Sequence, residues 1–464
     1  MSTLLFEVRL ALRDRATWVL LALFAFALAY ALNGGAELAR HQRAIVGPAL
    51  EQSRMLDSQV RDALQRQTID PRQLARQPLV AALPPAPLPT LASGQADLAP
   101  SVETVSLWRL QTPTDARSEL ENPSRLLSGR FDLAFVLVWL FPLFLLGLAY
   151  DLLAGDRESG TLRLVLSRGV RPGAWLAVRA LARGAPALAL ALLATWASSW
   201  WGDVASSAPD SGARLAHACV LVGAYGLFWL SVAALVNALA RSAAAAATAL
   251  GAAWVAVVLV APTLLNIVVE SLHPMPSRAE LVASAREASG DAERRGNEVL
   301  NSFYRDHPEL APPGMQVDFA QRILAVQEDV ARAMDPVAER FDAQLDAQQR
   351  IVELWRFASP AIAVHEALTD LAGTGYWRQR AFREQLAGFK DAVHAFFSPR
   401  IHKNNWLTKA DADQFPRFVF AEEPAERWSS RVRLSILGVL ALAVVAALIA
   451  VSRLSARRLA ADAR

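Results

Sequence analysis

Six apolar stretches, at about 17–32, 131–150, 184–201, 215–239, 243–269 and 434–451, set the first constraint on this 464-residue chain. A bilayer core about 30 Å thick takes roughly 20 apolar residues at 1.5 Å each. Each stretch is long enough to span, and the 53% hydrophobic content is concentrated in these blocks rather than spread evenly. A soluble protein does not distribute its apolar residues this way. The expected fold is all-α: a polytopic membrane bundle of six transmembrane helices with largely helical domains outside the lipid.

Arginine placement sets the orientation. Basic residues in short connections favour the cytoplasmic side. They cluster at the head (Arg9, Arg13, Arg15), between the second and third stretches (Arg157, Arg163, Arg168, Arg171, Arg179, Arg183) and at the tail (Arg453, Arg457, Arg458, Arg464). With six spans these three regions share one side, and Arg241 between the fourth and fifth stretches agrees. Both termini are therefore expected in the cytoplasm, with the chain in a bacterial inner membrane.

The resulting layout is an interfacial helix over 1–15, a span over 16–33, an extracytoplasmic region over 34–130, a span over 131–150, and a cytoplasmic loop over 151–183. Three spans over 184–269, an extracytoplasmic helical domain over 270–432, a span over 433–452 and a cytoplasmic tail over 453–464 complete it. Leu4, Leu5, Val8 and Leu12 opposite Glu7, Arg9, Arg13 and Asp14 suit an amphipathic helix at the interface. Gly34, Gly35 and Ala36 leave open the alternative of a cleavable signal peptide.

Outside the lipid, Leu38, Ile45, Leu50, Leu56, Val60 and Leu64 extend the first helix outward. The prolines between Pro78 and Pro100 then impose a linker or an extended surface strap. Phe319, Ile323, Val326, Val330, Met334, Val337, Phe341 and Leu345 form a helical stripe. Asp335-Pro336 interrupts it with a kink or a helix start.

Catalytic chemistry finds no foothold in these residues. A phosphate-binding loop needs Lys followed by Ser or Thr, whereas Lys390, Lys403 and Lys409 precede Asp391, Asn404 and Ala410. His365-Glu366 has no second histidine at zinc-peptidase spacing. His394 and His402 form a metal site only if the fold brings them together, and no cofactor is expected in this chain. The lone Cys219 allows no intrachain disulfide. A net charge of +3 is too small to argue for nucleic acid. The spans are nearly free of charge, which disfavours an ion-coupled carrier.

The most specific pattern lies between the second and third stretches: Asp156, Glu158, Gly160, Thr161 and Leu162, then Leu166, Ser167 and the basic turn at Arg171. This connection resembles that of the ABC-2 type permease family. The resemblance implies a coupling segment, Asp156, Arg157, Glu158, Ser159, Gly160, Thr161 and Leu162, seated on a separate ATP-binding-cassette subunit that holds the ATP and magnesium. It also implies a dimer, either of identical chains or with a paired permease, and export as the default direction. A second resemblance covers Ser359-Pro360, the stretch from His365 to Thr374, Arg380, Phe382 and Phe415-Pro416-Arg417-Phe418. It looks like the outer domain of uncharacterised function found in one branch of these permeases. The alternative is an envelope scaffold or mechanotransmission protein driven by the same ATPase.

Overall fold

The computed structural model describes residues 7, 9, 13–95, 99–108, 131–158, 160–161, 171–201, 208–274, 278–310 and 319–462. Helix α1 (Arg15–Arg66) starts where the Asp14 carboxylate accepts from Ala16 N at 3.1 Å and continues past the apolar stretch without a break. After the short α2 (Pro71–Ala75) comes one antiparallel hairpin, β1 (Leu79–Ala82) with β2 (Val102–Val105), in register from Leu79 opposite Val105 to Ala82 opposite Val102. The bundle then uses α3 (Leu133–Phe135), α4 (Phe141–Ala149), α5 (Ala154–Glu158), α6 (Pro172–Ala197), α7 (Ser211–Leu239), α8 (Ala243–Trp254) and α9 (Ala261–Leu272). The rest is α10 (Arg278–Arg294), α11 (Gly296–Asp306), α12 (Phe319–Trp355), α13 (Pro360–Ala372), α14 (Tyr376–His402) and α15 (Ala425–Asp462).

Six helical segments are long and apolar enough to cross a membrane: Arg15–Arg66, Leu133–Glu158, Pro172–Ala197, Ser211–Leu239, Ala243–Leu272 and Ala425–Leu454. The fold is the all-α polytopic bundle read from the apolar blocks. The third helix begins at Pro172, ahead of the expected start at residue 184, so Arg179 and Arg183 are carried on helix rather than in a loop. Its N-terminal proline fits the first turn, where the missing amide costs nothing.

Two spans contain a π turn, Val136–Leu140 in the second and Val255–Val260 in the fifth. Such a bulge frees backbone carbonyls, which lipid cannot satisfy. Side chains supply the donors. Tyr225 Oη donates to Val138 O at 2.9 Å, Trp254 Nε1 to Trp139 O at 3.0 Å, and Ser359 Oγ to Val257 O at 2.6 Å. The second span is tied in this way to the fourth and fifth, and the fifth to the segment ahead of α13.

Three expectations for the outer parts change. The proline-rich strap is extended but not on the surface: Leu88, Thr90, Leu91 and Ala92 are fully buried. Prolines carry no amide to satisfy, and the apolar residues between them join the bundle core. Thr90 approaches the first span so closely that a Cβ on Gly35 would stand 2.7 Å from Thr90 O. Pro336 neither ends nor restarts a helix, because α12 runs through it. Residues 270–432 do not all stand clear of the spans: Ala361, Val364, Leu368 and Leu371 of α13 belong to the same apolar cluster as Phe24, Phe141 and Trp229. A second cluster, built from Val60, Leu64, Leu386, Phe396, Phe397 and Phe415, forms the core outside the bundle.

Candidate ATPase-coupling site

The connection after the second span holds the short helix α5. Its sequence alone, five residues with one glycine, does not make a stable helix, since nucleation is costly and Gly is a poor former. Tertiary bonds hold it. Asp151 Oδ1 accepts from Gly155 N at 2.6 Å, bracing the first turn. Gly160, at φ +74°, closes the other end with its amide on Arg157 O at 3.3 Å, a left-handed position that glycine occupies without strain. Thr161 Oγ1 turns back to the Asp156 carboxylate at 3.3 Å.

Each charged residue of α5 reaches a different element. Asp156 forms an ion pair with Arg179 of α6, whose Nη1 also donates to Leu152 O at 2.9 Å. Arg157 donates to Ala240 O, just past the end of α7. The Glu158 carboxylate accepts from Ala243 N at 3.3 Å, at the start of α8. An anion there is favoured by the free amides and positive end of that helix. Ser159 and Leu162 lie outside the described residues.

Arg179 is the pivot. Its side chain is only 8% exposed, it lies 5.1 Å over the Trp175 ring, and its Nε is 3.5 Å from Glu7 Oε2. The head of the chain is thus joined to the same cation as Asp156; most of the expected interfacial helix lies outside the described residues. Arg183 adds a bond to Asp151 O at 2.9 Å. These arginines entered the sequence reading as topology markers only.

Sequence reasoning missed Asn237. It is fully buried and uses its whole amide: Oδ1 accepts from Leu152 N at 3.0 Å and Leu153 N at 3.2 Å, while Nδ2 donates to Ala149 O at 3.2 Å and Ala233 O at 2.9 Å. The chain leaves the second span at this point, where backbone groups lose their helical partners, and one side chain from the fourth span replaces them. The available sign was its position as the lone amide in the fourth apolar block.

Elsewhere the polar groups are latches. Arg431 bonds Asp370 at 2.9 Å and Glu423 at 2.7 Å, fixing the outward end of α13 to the sixth span. Arg214 of α7 donates to Asp370 O at 3.0 Å and lies 4.5 Å over Trp428. Cations suit the carbonyl end of a helix. His394 and His402 come close enough to interact electrostatically but have different partners: His402 bonds Tyr304, and His394 lies 3.8 Å from Glu328. Among the described residues no group of three or more His, Cys, Asp or Glu is arranged to hold a metal.

A multi-span helical bundle with a braced surface helix between its second and third spans has the form of a membrane transport component. Residues 91–266, covering the second to fourth spans and most of the fifth, match the family model described as ABC-2 membrane transporter related. Residues 278–421 match that of a domain of unknown function (DUF3526). The chain thus joins an ABC-2 membrane transporter related domain to a domain of unknown function, an arrangement consistent with an ABC-2 type permease that carries an additional domain. No curated protein and no solved structure matches it significantly.

Proposed function

We propose that this chain is the membrane subunit of an ATP-binding-cassette exporter, with ATP and magnesium bound and hydrolysed on a separate subunit that docks at α5. The permease acts as a dimer, of identical chains or with a paired permease. Both termini and α5 face the cytoplasm of a bacterial inner membrane. The observation that carries this reading is the distribution of bonds from five residues: Asp156 to the third span, Arg157 and the neighbouring backbone to the end of the fourth, Glu158 to the start of the fifth. A push on α5 cannot be taken up by one loop. It enters the second, third, fourth and fifth spans together, as rigid-body transmission between an ATPase and a bundle requires.

The test is copurification of the ATPase with wild type and Glu158→Lys, with membrane insertion monitored in both. The variant places a cation at the positive start of α8 and reverses the charge offered to the partner, so ATPase binding or ATPase activity should fall at least tenfold while insertion persists. A variant that retains both binding and activity refutes the coupling role. ATP-dependent movement of a candidate solute in proteoliposomes then tests export as distinct from mechanical work.

A further inference from the structure

Helices α12 and α13 lie within the domain of unknown function, yet the hairpin they form reaches the middle of the bundle. They are joined through the 3₁₀ turn Arg356–Ala358. Gln348 Nε2 donates to His273 O at 2.6 Å, where the fifth span has just ended. Following α12 onward from Gln348, Trp355 lies about 10 Å deeper. At the tip, Ser359 Oγ bonds Val257 O, at the centre of that 30-residue span. Phe357 lies against Gly438 of the sixth span, so closely that a Cβ there would collide with its ring. Helix α13 then climbs back against the second, fourth, fifth and sixth spans to the level where Asp370 meets Arg431.

The tip sorts its side chains by face. Charges are collected within the hairpin: Arg356 is buried, and both it and Glu353 act electrostatically on Glu366, whose Oε1 accepts from Gln349 Nε2 at 3.3 Å. The turning backbone is covered as well. Ser359 and Pro360 are buried, Ser359 O accepts from Ile362 N at 3.0 Å, and Pro360 has no amide to leave unpaired. Irregular backbone at bilayer depth is tolerated only under such cover. The other face is the reverse, with Leu354 77% exposed and Trp355 56% exposed. Arg350, one turn above Leu354, is exposed too, but its Nε turns back to Asp346 O at 3.3 Å, away from the tip. A basic side chain that leads upward over an exposed leucine and tryptophan is the order found where a helix enters a membrane interface.

We propose that the tip of this hairpin is inserted in the bilayer with Leu354 and Trp355 against lipid acyl chains, so that the domain of unknown function holds the membrane by a re-entrant element of its own. Depth makes lipid the occupant of this face. Val257 and Gly438, which the tip touches, belong to spans whose own residues Leu264 and Leu437 are exposed to the same surroundings. In the proposed orientation the tip stands in the outer leaflet. Helix α12 is a single element of 37 residues, about 55 Å long. Its other half carries Leu324 and Val330 into the two outer cores. Insertion of the tip therefore ties the outer domain to the bilayer and to any movement of the bundle.

The experiment attaches a nitroxide to Leu354→Cys or Trp355→Cys of the full-length protein in a Cys219→Ser background, with Ala343→Cys, higher on the same helix, as the reference. Each is reconstituted in vesicles of phosphatidylcholine and phosphatidylglycerol. Power saturation then measures access by oxygen, which concentrates among acyl chains, and by a neutral nickel chelate, which stays in water. The ratio of oxygen to nickel access should be several-fold higher at both tip positions than at residue 343. Nickel access at the tip equal to that at residue 343 overturns the proposal. So does a tip label that neither reagent reaches, because protein rather than lipid then covers the face. The replaced side chains are exposed, so both tip variants should melt with the Cys219→Ser parent, and where one does not, the other carries the test. The vesicles hold no ATPase, and the label reports the same depth in either orientation, so the result stands apart from coupling and export.

Discussion

Asn237 shows how much one side chain is asked to do where a span ends inside a bundle. Three backbone groups at the end of the second span depend on it, two as donors and one as acceptor, and all three residues are buried. Replacing it by leucine keeps the volume and the apolar surroundings but leaves the amides of Leu152 and Leu153 without acceptors. Each buried, unsatisfied group costs about 1–3 kcal/mol. Asn237→Leu should therefore lower stability by about 2–4 kcal/mol, read as a fall in melting temperature in detergent. It should also weaken ATPase stimulation, since the same bonds hold the root of α5. A variant that melts with wild type would show the amide to be dispensable. The pattern at Asp156 to Thr161 was legible because its residues are polar and consecutive. Asn237 was not, because its partners lie more than eighty residues away in sequence, and a single amide in an apolar run does not announce what it holds.

At the scale of elements, the joint between α11, α12 and α14 is built around His402. The ring is fully buried, stacks on Phe303 at 4.8 Å and pairs through Nδ1 with Tyr304 Oη at 3.0 Å, while Gln321 Nε2 holds its carbonyl at 3.1 Å. Burial, with the neighbouring His394, His307 and Arg72, pushes its pKa down to about 4. The native joint therefore keeps the ring neutral, while the unfolded chain protonates it below about 6.5. Stability from this residue is complete above about pH 6.5, falls as the pH drops, and is lost by about pH 4. The loss should reach about 2 kcal/mol at pH 5, measured as the melting temperature of the full chain between pH 7 and 5. His402→Asn should flatten that slope, and an unchanged slope would place the acid sensitivity elsewhere. Elements differed in how far the sequence revealed them. The spans were readable because lipid allows one solution to a long apolar run. The strap around Leu88 and the helix α13 were not, since both are short and one carries prolines while the other carries His365, Glu366 and Asp370. Their burial comes from what packs on them, which no local pattern encodes.

Across the whole molecule, the braced connection and the C-terminal end of α13 are both held by the fourth span: Asn237 near one end of it holds α5, and Arg214 near the other holds the end of α13 at Asp370. Movement entering at α5 thus has a continuous helix, α7, through which to reach α13. That arrangement has a direction only if the two ends lie on opposite sides of the membrane in the sense the arginines give. In the proposed orientation, Arg157, Arg163, Arg168 and Arg171 before the third span, Arg179 and Arg183 in its first turns and Arg241 before α8 put α5 and the turn before α8 on the cytoplasmic side. Cys219 is the only cysteine, so a Cys219→Ser background allows single-site labelling. Arg241→Cys and Ala343→Cys both place the thiol at exposed positions, the first beside α5 and the second on α12. In intact spheroplasts an impermeant maleimide should label Ala343→Cys at once and Arg241→Cys only after the membrane is opened. The reverse order would put α5 outside, where no ATP-hydrolysing partner could push on it, and the coupling role would fall together with the direction of export.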